Sequence, residues 1–396
     1  MADAARGMTV ALVCPDGFSI LLFCRGIIAE LLRIPGARVV VVADPGEHAR
    51  EIEALGVTMA RVPSARFIDP LADLRYVRDL RRVFRDERCD IVLNFSTKPN
   101  LYGAIAARLA GVRHVISHVV GLGASFLPSP GVRGRIVQAV VTRLYRHACR
   151  QSRHVWFTNR NDLAFFEAAG LLRPGQAVLT RNYLDTSEYA PGIVPEAELA
   201  AVRRELGLVP GQPVVVMVAR LIWPKGIREF AEAAALLKDR HPDTTFLLIA
   251  PAEPPSVNTV PESYVRECEK DRRFRWLGFR RDVKALYALG DIAVLPSYYK
   301  EGGYPRALLE PMAMAKPLVT TTSDDCRGTV DEGRNGFLVP PADAAALAEA
   351  ISRLLSDAGM RRAFGEHSRE KATREFDERA ILRDAFRQMG LSPDTA

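Results

Sequence analysis

The sequence is poor in the features that mark whole classes of protein. It has six cysteines, Cys14, Cys24, Cys89, Cys149, Cys268 and Cys326, in 396 residues, and none forms a CxxC pair or a zinc-finger spacing. Scattered thiols without a disulfide framework point to a reducing compartment. No apolar run reaches the ~20 residues that a membrane-spanning helix needs. Even Phe18 to Leu32 is shorter and carries Arg25 and Glu30. Internal repeats and low-complexity tracts are absent, and the start shows no basic segment followed by an apolar stretch and a cleavage site. A cytosolic protein is expected. Charge is nearly balanced, 54 Lys and Arg against 47 acidic residues. The resulting +7 is too thin for the dense basic stripe of a nucleic-acid binder. It leaves open plain solubility, an anionic membrane surface or anionic substrates.

What the chain does have is alternation. Short β-branched runs (MTVALVC, ARVVVVAD, CDIVLNF) are separated by Ala/Leu/Arg segments of helical period at Ile20 to Leu32, Ile52 to Leu55 and Leu101 to Ala110. This is the βαβ pattern of a parallel sheet. The pattern pauses where Pro191, Pro195 and Pro210 cluster, then resumes with PVVVMVA, TTFLLIA, FRWLGF, DIAVLPS and KPLVTTT. Helices are expected over Ile227 to Lys238, Val283 to Ala288, Arg306 to Met314, Ala344 to Leu355 and Met360 to Gln388. A chain this long exceeds one compact core. Two doubly wound domains follow, 1–190 and 191–376.

In open α/β sheets, ligands sit beyond the carboxyl ends of the strands. After PVVVMVA come Arg220 and Lys225-Gly226, two cations flanking a turn that opens a helix. Such a turn can clamp a diphosphate with side-chain charge and free N–H groups. Two solvated loop cations are the plainer alternative. After DIAVLPS comes Glu301-Gly302-Gly303-Tyr304-Pro305-Arg306 and then Glu310. The glycines can bring backbone N–H groups close to phosphate or sugar oxygens. Glu310, placed in the first turn of the next helix, can accept two vicinal hydroxyls or merely compensate the helix dipole. Gly17 and Gly26 make no dinucleotide fingerprint, and Asp324-Asp325 lacks the partners of a metal site. Val132 to Arg153 interleaves Arg133, Arg135, Arg143, Arg146, His147, Arg150 and Arg153 with apolar residues. It suits either an interfacial helix or a solvated basic face on a packed one.

The order Arg220, Lys225-Gly226, Glu301-Gly302 to Pro305, Glu310, Met312 to Pro317 and Asn335-Gly336 resembles the retaining glycosyltransferases of family 4. That resemblance implies a GT-B fold, two Rossmann-like domains facing across a cleft, with a C-terminal helix (about 377–396) packed back on the first domain. Lys98-Pro-Asn100-Leu-Tyr-Gly103 with Gly121-Leu-Gly123 and Phe126 is similar to a branch acting on undecaprenyl-diphosphate-linked sugars with N-acetylhexosamine donors. The resemblance assigns Arg220 and Lys225 to the departing diphosphate, and Glu310 to the ribose. Glu301, Gly302, Gly303, Tyr304, Pro305 and Arg306 fall to the donor sugar or phosphate. Lys98, Asn100, His118, Gly121 and Gly123 fall to the acceptor side, Lys98 and Asn100 competing with a plain Asn/Gly turn. The implied partners are UDP-GalNAc or UDP-GlcNAc, a lipid-linked acceptor and the inner membrane face, with no metal or cofactor. Two departures stand out. The family has seven residues between its two glutamates, whereas Glu301 and Glu310 enclose one more, Gly303 being the insertion. The His usual at the end of an N-domain strand is replaced by Val120, with His118 two residues earlier on one strand face. His118 can equally be a core residue. A GT-B-like epimerase and a non-catalytic assembly scaffold are the alternatives.

Overall fold

The computed structural model describes residues 7–65, 69–121 and 132–391, with side chains of the helix starting at 132 described from 138. Gly123, Phe126 and the side chains of Arg133 and Arg135 lie outside the described residues. The chain divides into two compact units, Met1–Arg181 with Arg379–Ala396, and Asn182–Glu378.

The first unit holds a seven-stranded sheet: β1 (Thr9–Asp16), β2 (Arg38–Asp44), β3 (Thr58–Arg61), β4 (Ile91–Phe95), β5 (His114–Val119), β6 (His154–Phe157) and β7 (Ala177–Leu179). Their order is β3-β2-β1-β4-β5-β6-β7, every pair parallel. β2 reads RVVVVAD with five consecutive buried residues. That unbroken apolar run is expected where helices cover both faces of a parallel sheet. The second unit holds β8 (Val214–Val218), β9 (Thr245–Ile249), β10 (Phe274–Trp276), β11 (Ile292–Leu295), β12 (Leu318–Thr321) and β13 (Gly336–Val339), in the order β10-β9-β8-β11-β12-β13 and again parallel. In each sheet the order reverses beside the first strand, between β1 and β4 and between β8 and β11. That reversal splays the flanking connections apart and opens the crevice where such sheets bind ligands.

Two expectations need revision. The proline cluster put the boundary at 190, yet the second unit starts at Asn182, because Asn182 Nδ2 donates to the Tyr304 carbonyl at 2.9 Å and the Leu184 N–H to the Phe376 carbonyl at 3.0 Å. Met360 to Gln388 is not one helix. It runs as Ala358–Glu375, capped by Asp357 on the Met360 N–H, and resumes at Glu378–Gln388. Between them Asp377 pairs with Leu184 as an isolated parallel bridge, and the Thr186 hydroxyl donates to its carboxylate at 2.6 Å. Partners outside the helix thus outcompete its continuation.

At this break Glu378 has its carboxyl pushed up to about 7, chiefly by burial and then by Asp185, with Glu188 and Asp377 adding to Asp185's repulsion and Arg306 opposing. A raised folded value means that the folded chain holds the proton more tightly. The associated stability is full below the ordinary carboxylate range and is lost as pH rises through 7. Glu378→Gln, neutral at every pH, should therefore raise the melting temperature at pH 8, by roughly 1–2 kcal/mol of stability. The difference from wild type should vanish by pH 4. An equal difference at both values in paired thermal melts refutes the assignment.

Candidate functional site

The loops leaving β8 and β11, the two strands at the order reversal of the second unit, carry the residues that the sequence singled out. Arg220 follows β8, a short 3-10 turn spans Trp223–Lys225, and the helix Ile227–Leu236 begins after Gly226. Gly226 sits at φ +80, and a Cβ there would collide with the Pro296 carbonyl oxygen on the β11 loop. Only glycine meets both demands, conformational and steric. The loops are further joined by the Tyr298 N–H donating to the Pro224 carbonyl at 2.9 Å. Trp223, next to this seam, is packed edge-on to Tyr264 with the Arg228 guanidinium 4.9 Å from its ring centre.

This seam gathers charge. Lys225, only 8% exposed, forms an ion pair with Glu301 Oε2, whose other oxygen accepts from Ser297 Oγ at 2.6 Å. A buried ammonium needs such a partner, since unpaired burial of charge is costly. The Tyr299 ring has two cations against it, the Arg220 guanidinium 5.1 Å and Lys225 Nζ 5.2 Å from its centre. Arg220 itself is exposed. Gly302 and Gly303 adopt φ of 73° and 110°, conformations that side chains disfavour. Tyr304 turns its ring onto Phe376, and Pro305 precedes the helix Arg306–Ala313. The two glycines thus form the turn that leaves Glu301, whose carboxylate is directed at Lys225.

Glu310 departs from expectation. It lies in the second turn of its helix, not the first, so compensation of the helix dipole is overturned. It is buried and accepts from Arg306 Nε at 3.0 Å, one turn earlier. Burial raises its carboxyl against the opposing pull of Arg306 and of the Tyr189 hydroxyl beside the pair. The Arg306 guanidinium is raised, with its own burial outweighed by Glu310 and Tyr189.

In the first unit, Lys98 is held by Asp73 Oδ1 at 2.6 Å, and Asp73 Oδ2 accepts from the Tyr102 hydroxyl at 2.8 Å. Asn100 Nδ2 donates to the His118 carbonyl at 2.9 Å. Gly121 has φ of 139°. His118, by contrast, is sealed in the core: 1% exposed, stacked on Trp156 at 3.7 Å between ring centres, its pKa lowered to about 3 by burial. It does not reach the surface, so the reading of it as an acceptor-side contact is corrected. In the helix Val132–Gln151, Arg146 donates to the Ala169 carbonyl at 3.2 Å, whereas Val140, Arg143, His147 and Arg150 share the exposed face.

Sequence reasoning missed Ser297, Tyr299, Tyr189 and Asp325 as members of the site. Tyr299 follows DIAVLPS by two residues. Ser297 ends DIAVLPS and bonds Glu301 four residues on, whereas Tyr189 and Asp325 act on residues far away in sequence.

Comparison with known proteins fits this geometry. Residues 212–357 match the family described as glycosyl transferases group 1, and residues 25–182 match the glycosyl transferase 4-like domain. The chain is a glycosyltransferase with a 4-like and a group 1 domain. Its GT-B fold is seen in solved structures of similar shape. A Rickettsia africae glycosyltransferase superposes with TM-score 0.79 at 18% identity, covering 97% of this chain and 98% of that one. Anabaena HepE in complex with UDP and glucose gives 0.75 at 20% identity, covering 96% and 99%. Among curated relatives, the enzyme is 27% identical over 94% of its length to the Campylobacter jejuni N,N'-diacetylbacillosaminyl-diphospho-undecaprenol alpha-1,3-N-acetylgalactosaminyltransferase, covering 96% of that protein. It is 27% identical to the Escherichia coli UDP-Gal:alpha-D-GlcNAc-diphosphoundecaprenol alpha-1,3-galactosyltransferase, covering 74% of this chain and 73% of that one.

Proposed function

We propose that the glycosyltransferase moves an N-acetylhexosamine from UDP-GalNAc or UDP-GlcNAc, with retention of configuration, onto a sugar carried by undecaprenyl diphosphate. The observation that carries the donor half is the cluster of Arg220, Tyr299, Lys225 and Glu301 at the order reversal of the second sheet. The acceptor half rests on the Campylobacter jejuni and Escherichia coli relatives, whose names specify such acceptors. As the anomeric C–O bond to the diphosphate breaks, charge grows on the leaving oxygen, and Lys225 and Arg220 stabilise it. Lys225 can share its ammonium between Glu301 and a phosphate, so the ion pair keeps the empty site neutral. The new bond forms from the acceptor hydroxyl on the same face, and its proton passes to an oxygen of the departing UDP. Glu310, oriented by Arg306 and Tyr189, serves the ribose hydroxyls, while Gly302, Gly303 and Glu301 meet the sugar or phosphate. Lys98 and Gly121 belong to the acceptor side, whereas Asn100, as deeply buried as His118, is set aside with it.

Among the described residues no helix is long and apolar enough to cross a membrane. Access to a lipid-borne acceptor then falls to peripheral docking by the exposed row Val140, Arg143, His147 and Arg150. Each Lys or Arg near an anionic surface contributes about 1 kcal/mol, screened by salt. The test incubates purified enzyme with each UDP-sugar, with and without undecaprenyl-diphosphate-linked acceptor in anionic vesicles. Acceptor-dependent UDP release, with an α-linked product by NMR, is expected. Changing Arg143 and Arg150 together to Glu should lower vesicle co-sedimentation and transfer while UDP binding holds. Donor turnover without acceptor, giving an altered sugar, would overturn the reading.

A further inference from the structure

The glycine turn that the donor is assigned to is already occupied. Asp325 follows β12, and its Oδ2 accepts the Glu301 N–H at 2.8 Å and the Gly302 N–H at 3.3 Å, while the Gly303 amide helps to lower the same carboxyl. Consecutive backbone N–H groups converging on one anionic oxygen form an anion nest. The positive φ of Gly302 and Gly303 is what turns these amides to one side. These are the amides that the donor reading gives to sugar or phosphate oxygens. A carboxylate oxygen and a phosphate oxygen present the same charge and acceptor geometry to them, so both cannot be bound at once.

The nest holds its carboxylate at a cost. Burial raises the Asp325 carboxyl, and Glu301 close by raises it further, against the three amides. Glu301 is anchored on its other side by Lys225 and Ser297. A diphosphate arriving at Arg220 and Lys225 adds a third anionic group to the same few ångströms, which makes the Asp325 carboxylate, held by backbone amides, the one to leave. Its neighbour Asp324 pairs with Arg327 at the surface, 3.2 Å apart with both side chains exposed, so water lies one residue away.

We propose that Asp325 is an internal competitor for the donor: its carboxylate fills the amide nest of residues 301–303 in the resting enzyme and is displaced by an anionic oxygen of the donor diphosphate. The inference rests on the donor site described above. A competitor that must be expelled weakens the apparent affinity by the fraction of time the nest is open. Removing its charge should tighten the binding of anions and leave neutral ligands alone.

The experiment is calorimetric titration of the full chain, wild type, Asp325→Asn and Asp325→Ala, with UDP and with uridine. The competitor role predicts UDP tightened roughly tenfold in both variants with uridine affinity unchanged, the size expected when a minor open state becomes the major one. If Asp325 only props the turn, UDP binding weakens or stays constant in both, and the inference is overturned. Lys225→Ala separates the two readings. If it leaves UDP affinity untouched, or if wild type binds no UDP, the donor site itself is misplaced. If Lys225 matters and the Asp325 variants do not gain, only the competitor fails.

Discussion

Arg220→Ala lowers turnover about a hundredfold and Lys225→Ala about a thousandfold, the range seen when one donor to a developing oxyanion is lost. The two differ because their surroundings differ. Arg220 is exposed and its guanidinium lies against the Tyr299 ring, so its loss removes charge from the leaving group with little effect on folding. Lys225 is buried, and its loss also leaves Glu301 without a cation at a side-chain exposure of 7%. A stranded buried carboxylate adds a stability penalty of about 3 kcal/mol or reverses its ionisation. Steady-state rates with UDP-sugar and acceptor, read beside thermal melts, check both. Wild-type kcat in both variants would remove the catalytic role from this seam.

Glu310→Gln should weaken UDP binding about tenfold, ~1.4 kcal/mol, because one charged acceptor for the ribose becomes a neutral one. It should also lower the melting temperature, since Arg306 loses the carboxylate that balances it and breaking a buried pair costs about 3 kcal/mol. The measurement that isolates binding from folding is the double change Arg306→Met with Glu310→Gln. That variant removes both charges and should recover most of the stability without recovering UDP affinity. Unchanged UDP affinity in calorimetry of the single variant excludes Glu310 from the donor.

How much of this was visible in the sequence depends on range. Strands such as RVVVVAD and VVVMV declare themselves by composition, and the loops after β8 and β11 follow from the position of those strands. Lys225 and Glu301 could be paired in advance only as two ends of one expected site. Glu310 was placed a turn too early although the helix was rightly started at Arg306, because Arg306 to Leu309 already fill its first turn. Asp325 read as an idle acid after a threonine run, since the amides that hold it lie 23 and 24 residues back. The interruption at Phe376-Asp377 is invisible locally. Its cause is a bridge to Leu184, and helix propensity carries no record of a partner so distant.

The three tryptophans are distributed in a useful way. Trp156, pressed against His118, belongs to the first unit, while Trp223 and Trp276 belong to the second. His118 stays neutral across physiological pH, so it does not act there as a charged quencher of its neighbour. Variants keeping Trp156 or Trp223 alone would turn each unit into its own optical channel. Emission from the first would follow melting of the seven-stranded sheet. Emission from the second, one residue from Pro224 and two from Lys225, would respond to nucleotide arriving at the seam, with no label attached.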